Sequence, residues 1–200
     1  MGPIVSAGQL SETKQRLLDA VLNRENRIRQ VHSEAITRRS VSASGPLSYA
    51  QEEILRRAME GVNKPPFHNE SIAVHRRGPL DVGALQRSLM EIVRRHEIWR
   101  TTFEILDGRA VQRVHPAPDN FPIAAYDLRT LPESRREEEA VRLASEQARK
   151  PFDLKTGPLL RVGVIHLDDT HHRVCVTAHQ IIVDGVSVFR VFPVELVRLY

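Results

Sequence analysis

The sequence predicts an α+β fold: a mixed sheet with flanking helices, preceded by an N-terminal helical segment. Two observations carry this. Two pairs of strand-like runs face each other across short polar turns, Arg100 to Leu106 with Arg109 to Val114, and Leu159 to Leu167 with His172 to His179. Runs so placed close as antiparallel hairpins. Between and around them lie stretches whose apolar residues step by three and four, most clearly Val82, Leu85, Leu89, Ile92 and Val93, which is the period of an amphipathic helix.

The totals bound the function. Two hundred residues suffice for one domain with a core, or for part of a larger fold. With 41% hydrophobic and 27% charged residues the composition is that of a soluble globular chain. The net charge of +4 is carried mostly by Arg, since Lys occurs only at positions 14, 64, 150 and 155. These Arg residues are interleaved with Glu and lack an aromatic–basic platform, so a nucleic-acid partner is not expected. No apolar run approaches the ~18 to 20 residues of a membrane span. The first ten residues lack a basic start and a long apolar stretch, so no signal peptide is expected and the protein is placed in the cytoplasm. Cys175, the single cysteine, cannot form an internal disulfide and is expected to be a buried small hydrophobe.

Taken in order, residues 1–10 form a disordered leader. Residues 11–37 form a helical segment that Ser11 can cap, with Leu17, Val21, Ile28 and Val31 near one stripe. It serves as an inter-module linker or as a docking helix. Residues 38–45 are a Ser-rich linker. A domain occupying 46–200 then opens with Ser48 and Gln51, spaced as a capping box, and a helix to about Met59 that stops at Gly61. A Pro-rich loop fills 62–70, followed by a strand from Ser71 to Arg77, broken at Gly78-Pro79. Asp81 caps the helix that ends near Arg95-His96, and Asp107-Gly108 supplies a two-residue hairpin turn. A strand is expected over Phe121 to Leu128. Thr130 and Glu133 form a second capping box, with Pro132 in the first turn of a charged helix to about Lys150. The last helix, from Val186 to Tyr200, carries Phe189, Leu196 and Leu199 on one side, and Pro193 should kink it or end it early.

The chemistry points to the corner between the last strand and the last helix, Ala178-His179-Gln180-Ile181-Ile182-Val183-Asp184-Gly185. A His, an Asp and a Gly gathered at a strand end is where sites are often built. The spacing resembles the HHxxxDG signature of nonribosomal peptide synthetase condensation domains and their acyltransferase relatives. Pro46 to Gln51 (PLSYAQ) resembles their PLSxAQ opening, Arg95 to Phe103 (RHEIWRTTF) their RHExLRTxF segment, and Pro151 to Arg161 (PFDLKTGPLLR) their PFDLxxGPLLR segment. Four motifs in the expected order identify residues 46–200 as a member of that family.

The resemblance implies the N-terminal lobe of a V-shaped domain whose two lobes are each similar to chloramphenicol acetyltransferase, with the C-terminal lobe absent. It implies amide formation between a carrier-bound acyl thioester and a carrier-bound amino acid. The partners would be peptidyl or acyl carrier proteins and the rest of a synthetase. No cofactor would be bound, the substrates riding on the carriers' phosphopantetheine arms. At the site, His179 matches the first signature His, and Gln180 stands where the family has its catalytic second His. An imidazole near pKa ~6.5 suits proton transfer from the attacking amine. A carboxamide does not titrate near neutral pH, so the chain is expected to be inactive or impaired. Asp184 would be structural, paired with Arg100 or, as second choice, Arg95, because a buried carboxylate needs a partner. Gly185 would allow a backbone angle or close approach that a side chain blocks.

Other functions stay open. The chain could be a non-catalytic module that still binds carriers, or an acyltransferase of the same superfamily. His171, His172 and His179 lack metal-site spacing, and the first two are expected to be an exposed turn pair. Ser187 lacks the Gly-x-Ser-x-Gly context of a nucleophile.

Overall fold

The computed structural model describes residues 44–59 and 68–200. The expected leader, the helical segment 11–37, residues 38–43 of the linker, the stop at Gly61 and residues 62–67 of the Pro-rich loop lie outside them. In chain order the elements are β1 (Ser44–Pro46), α1 (Tyr49–Met59), β2 (Asn69–Arg77), α2 (Val82–Arg95), a 3-10 turn (Glu97–Arg100), β3 (Thr101–Leu106), β4 (Arg109–Val114), β5 (Ile123–Asp127), α3 (Glu133–Arg149), β6 (Leu160–His166), β7 (His171–His179), a π-helical turn (Ser187–Val191) and α4 (Phe192–Leu199). The fold is the α+β arrangement expected.

Two sheets form. The smaller runs β1-β4-β3 and is antiparallel; the larger runs β2-β7-β6-β5 and is mixed, because β5 is parallel to β6 while the other pairs are antiparallel. The β3–β4 hairpin turns at Asp107 and Gly108, both at positive φ (49° and 74°). That conformation matches the strands' twist and suits an Asp-Gly pair. Ser44 and Gly45, expected in the linker, instead pair with Arg113 and Gln112 as part of β1. An edge strand tolerates Pro46, which lacks an N–H to donate.

The two central strands of the larger sheet, β6 and β7, are buried on both faces. Alternation along β6 and β7 sends Leu160, Val162, Val164, Val176 and Ala178 into the main core with Leu89, Ile92 and Phe103, while Ile165 and Cys175 join Leu128, Ala140 and Leu143 in a second cluster. Helix α2 presents the expected stripe, with Leu85, Leu89, Ile92 and Val93 buried, and Asp81 Oδ1 accepts the Ala84 N–H at 2.9 Å. At α1 the capping box is reciprocal: Ser48 N–H donates to Gln51 Oε1 (3.0 Å) and Gln51 N–H to Ser48 Oγ (3.3 Å).

Three local expectations fail. Thr130 does not cap α3; Pro132 occupies the N-cap without a side-chain bond, and Arg136 ties the approach by donating to the carbonyls of Arg129, Leu131 and Leu167. The expected box lies two positions too early once the chain turns at Leu128–Leu131. Pro193 does not end the last helix early: it sits in the first turn of α4, which runs on to Leu199. A π turn precedes it, with Phe192 N–H bonded to Ser187 O, and the wider turn relieves the missing donor. This shift of register buries Val188 and Phe192 and leaves Phe189 exposed, where Phe189 was expected on the inner side.

Candidate active site

The strand-end corner is assembled by pairing between residues more than a hundred positions apart. In the β2–β7 register Asn69 lies opposite His179 and Glu70 opposite Ala178. This brings His68 and Glu70 beside Gln180. Gln180 N–H donates to His68 O at 2.8 Å, its Nε2 donates to Glu70 Oε1 at 2.6 Å, and its Oε1 lies 3.5 Å from His68 Nδ1. Neither His68 nor Glu70 stood out in the sequence. The signal that locates them is the strand pairing, since the short run after the Pro-rich loop has β7 as its partner.

Two of the other sequence motifs reach the same corner directly and a third supports it from behind. Gln51, besides capping α1, donates from Nε2 to Ile181 O at 3.2 Å. The carbonyl of Leu159 accepts the His179 N–H at 3.0 Å. The Phe152 ring stands edge-on to His179 with centroids 6.2 Å apart, and the Arg161 guanidinium lies 4.2 Å over Phe152. The Arg95–Phe103 segment contributes one step back: Phe103 N–H donates to Leu154 O at 2.8 Å, which holds the Phe152 loop in place.

His179 is buried, and its Nδ1 accepts the Ile181 N–H at 3.2 Å. Burial, with the nearby His68 as a second cause, pushes its pKa down to about 4. At neutral pH it is therefore an uncharged ring whose lone pair is spent on the backbone turn. It is a hydrogen-bonded histidine of the corner, and Gln180 faces the neighbouring polar space.

Asp184 is exposed and not buried against a cation. Its Oδ1 accepts the Ser187 N–H at 2.7 Å, and this bond above all holds the carboxyl below its ordinary value. The side chain caps the last helix, whose Val188 N–H bonds to Asp184 O at 3.0 Å. The expected pair with Arg100 or Arg95 is replaced by other contacts. Arg100 donates to His115 O, and Arg95 pairs with Glu91 (2.6 Å) and Glu195 (3.3 Å). A local acceptor three residues before a free helix N–H needs no distant cation. Gly185, exposed in the first turn, has no positive φ, and a Cβ there would lie 3.9 Å from Phe189, so neither the backbone angle nor a described protein neighbour requires a glycine there.

The histidine pair at the other end of β7 is split. His171 is exposed and bonded to Asp168 Oδ2 at 2.6 Å, while His172 is buried with Nδ1 2.9 Å from His166 Nδ1. Among the described residues no group of three His, Cys, Asp or Glu is placed to hold a metal, and no helix is long and apolar enough to cross a membrane.

The family model for the condensation domain matches residues 41–200. The chain is 39% identical over 148 residues to phosphinothricin tripeptide synthetase PhsB of Streptomyces viridochromogenes, covering 73% of the chain and 12% of that protein. It is 37% identical over 161 residues to tyrocidine synthase 3 of Brevibacillus parabrevis, covering 78% of the chain and 2% of that protein. The chain thus spans a small part of the relatives it matches. Among solved structures, the X-domain from teicoplanin biosynthesis superposes with a TM-score of 0.67 at 30% identity, over 84% of this chain and 34% of that one. The starter condensation domain of rhizomide synthetase RzmA gives 0.70 at 19% identity, over 80% of this chain and 39% of that one, a likeness of fold.

Proposed function

The chain belongs to the condensation-domain family, and from that premise we propose that it forms part of a nonribosomal peptide synthetase and helps join a carrier-bound acyl group to a carrier-bound amino acid. The amine nitrogen attacks the thioester carbonyl carbon, a C–N bond forms, the C–S bond breaks, and the proton lost by nitrogen ends on the departing sulfur. The carriers bring both substrates on phosphopantetheine arms, so the chain needs no cofactor of its own. The observation that carries this reading is the convergence of Gln51, from one motif, and of Phe152 and Leu159, from another, on the corner at His179–Ile181.

A second reading is a module that binds carriers without joining their substrates. Gln180 favours it, since a carboxamide stands where the resemblance places a titrating His. The test supplies the full-length protein with loaded donor and acceptor carriers and follows the amide product by mass spectrometry. Amide formation is expected. Carrier binding without amide would establish the second reading. Gln180→His measures what the carboxamide costs. A gain of about 10²-fold would mark an impaired site, and a rate within about tenfold means the proton is taken elsewhere.

A further inference from the structure

Resting on the amide-forming reading, we propose that His68 is the proton acceptor of this site, with Gln180 and Glu70 as the positioning residues that fix its tautomer. The chain of inference starts at Glu70. An ionised carboxylate only accepts hydrogen bonds, so the Gln180 group 2.6 Å from Glu70 Oε1 must be the NH2. The carboxamide is planar, and its oxygen is thereby turned toward His68 Nδ1. That oxygen also only accepts, so Nδ1 is the nitrogen that bears hydrogen in the neutral ring. The lone pair is left on Nε2. Among the described residues Nε2 of His68 is buried and has no hydrogen-bond partner.

This logic matches that of a triad, in which a base is held in one tautomer by an acceptor behind it. The 3.5 Å separation is long for a hydrogen bond, as such contacts are before substrate is in place. His179 has the opposite arrangement, with its Nδ1 lone pair occupied by the Ile181 N–H. It cannot take the amine proton at that nitrogen without breaking the corner. Of the two imidazoles at the strand end, whose ring centroids are 5.7 Å apart, only His68 keeps a lone pair in reserve.

The step balances. The neutral amine attacks the thioester carbon, and the nitrogen of the tetrahedral adduct passes a proton to His68 Nε2. The adduct collapses to amide and thiolate, and His68 returns the proton to sulfur. No oxidant, metal or second base is consumed.

The test is a pH series of single-turnover amide formation by the full-length protein with loaded carriers, comparing the unsubstituted protein with His68→Ala, His68→Gln and His68→Ala/Gln180→His. His68→Gln keeps a hydrogen-bonding side chain at the position, so a loss at unchanged unfolding midpoint reports on the proton and not on folding. Expected are a fall of about 10²-fold in both single variants, loss of the acid limb of the rate profile, and recovery of at least about tenfold, with the acid limb, in the double variant. Amide formation within about twofold of the unsubstituted protein in His68→Ala and His68→Gln overturns the assignment and leaves the function standing. No amide from the unsubstituted protein overturns both.

Discussion

Strand β7 carries histidines at both ends, and the two ends treat them differently. At the His171 end the polar groups are spent on one another: His171 is held by Asp168, His172 by His166, and Arg129 bridges Asp127 and Asp169. These contacts close a turn between neighbouring strands and are exposed or half-buried, apart from the buried His172, and exposed pairs of this kind contribute little. At the His179 end the partners come from three distant segments, and the polar chain Glu70–Gln180–His68 stops at a nitrogen that has no hydrogen-bond partner among the described residues. The same residue type in the same strand is a turn fastener at one end and part of a candidate site at the other. What separates them is whether hydrogen-bonding capacity is used up locally.

The largest expected effect concerns His179. Its pKa in the folded chain lies well below the ordinary 6.5, at about 4, so as pH falls the unfolded chain takes the proton first. The stability it contributes is therefore present above pH 6.5 and lost as pH falls toward 4. Urea unfolding at pH 7 and pH 5 should show a loss of about 2 kcal/mol that is missing in His179→Gln. The same substitution at His172, whose pKa is also lowered chiefly by burial, should remove a smaller part of the pH dependence. An equal or larger change at His172 would erase the contrast between the two ends.

Next in size is Glu70→Ala. It removes the acceptor that orients Gln180 and should slow amide formation by about tenfold, roughly 1.4 kcal/mol of barrier, with Glu70→Gln falling in between. His172→Gln, at the other end of β7, should leave the rate unchanged; a matching loss there would mean the rate reports on the sheet and not on the site. The smallest effect is at the corner's exposed cap. Asp184→Ala removes the acceptor of the Ser187 N–H and should lower the unfolding midpoint by a few degrees, while Asp184→Asn keeps it. An equal loss in the Asn variant would show that charge, and not the cap bond, holds the helix start.

The same contrast explains what was legible in the sequence. Features closed within a few residues came through: the Ser48–Gln51 box, the Asp81 cap, the Asp107-Gly108 turn, the α2 stripe and the β6–β7 hairpin each obey a local rule. Motif spacing singles out 179–185 as the candidate site, but the wiring around it was not legible. Glu70 and His68 are paired to Gln180 across about 110 residues, and only the β2–β7 register reveals it. For Asp184 the local rule was the one overlooked. An Asp three residues before an early helix N–H is a cap, and that bond outweighed the distant Arg inferred from the need to neutralise a buried charge. Pro193 does not end the helix because a π turn offers a way past a missing N–H that a strictly α-helical reading does not contain.

The central claim is that two imidazoles at one strand end have opposite assignments, and ring-nitrogen NMR of the 15N-labelled protein tests it most directly. Across a titration between pH 5 and 8, the account predicts that His179 stays neutral with its hydrogen on Nε2, while His68 in its neutral form carries its hydrogen on Nδ1. A His68 ring with hydrogen on Nε2, or a His179 that becomes charged within that range, would contradict it.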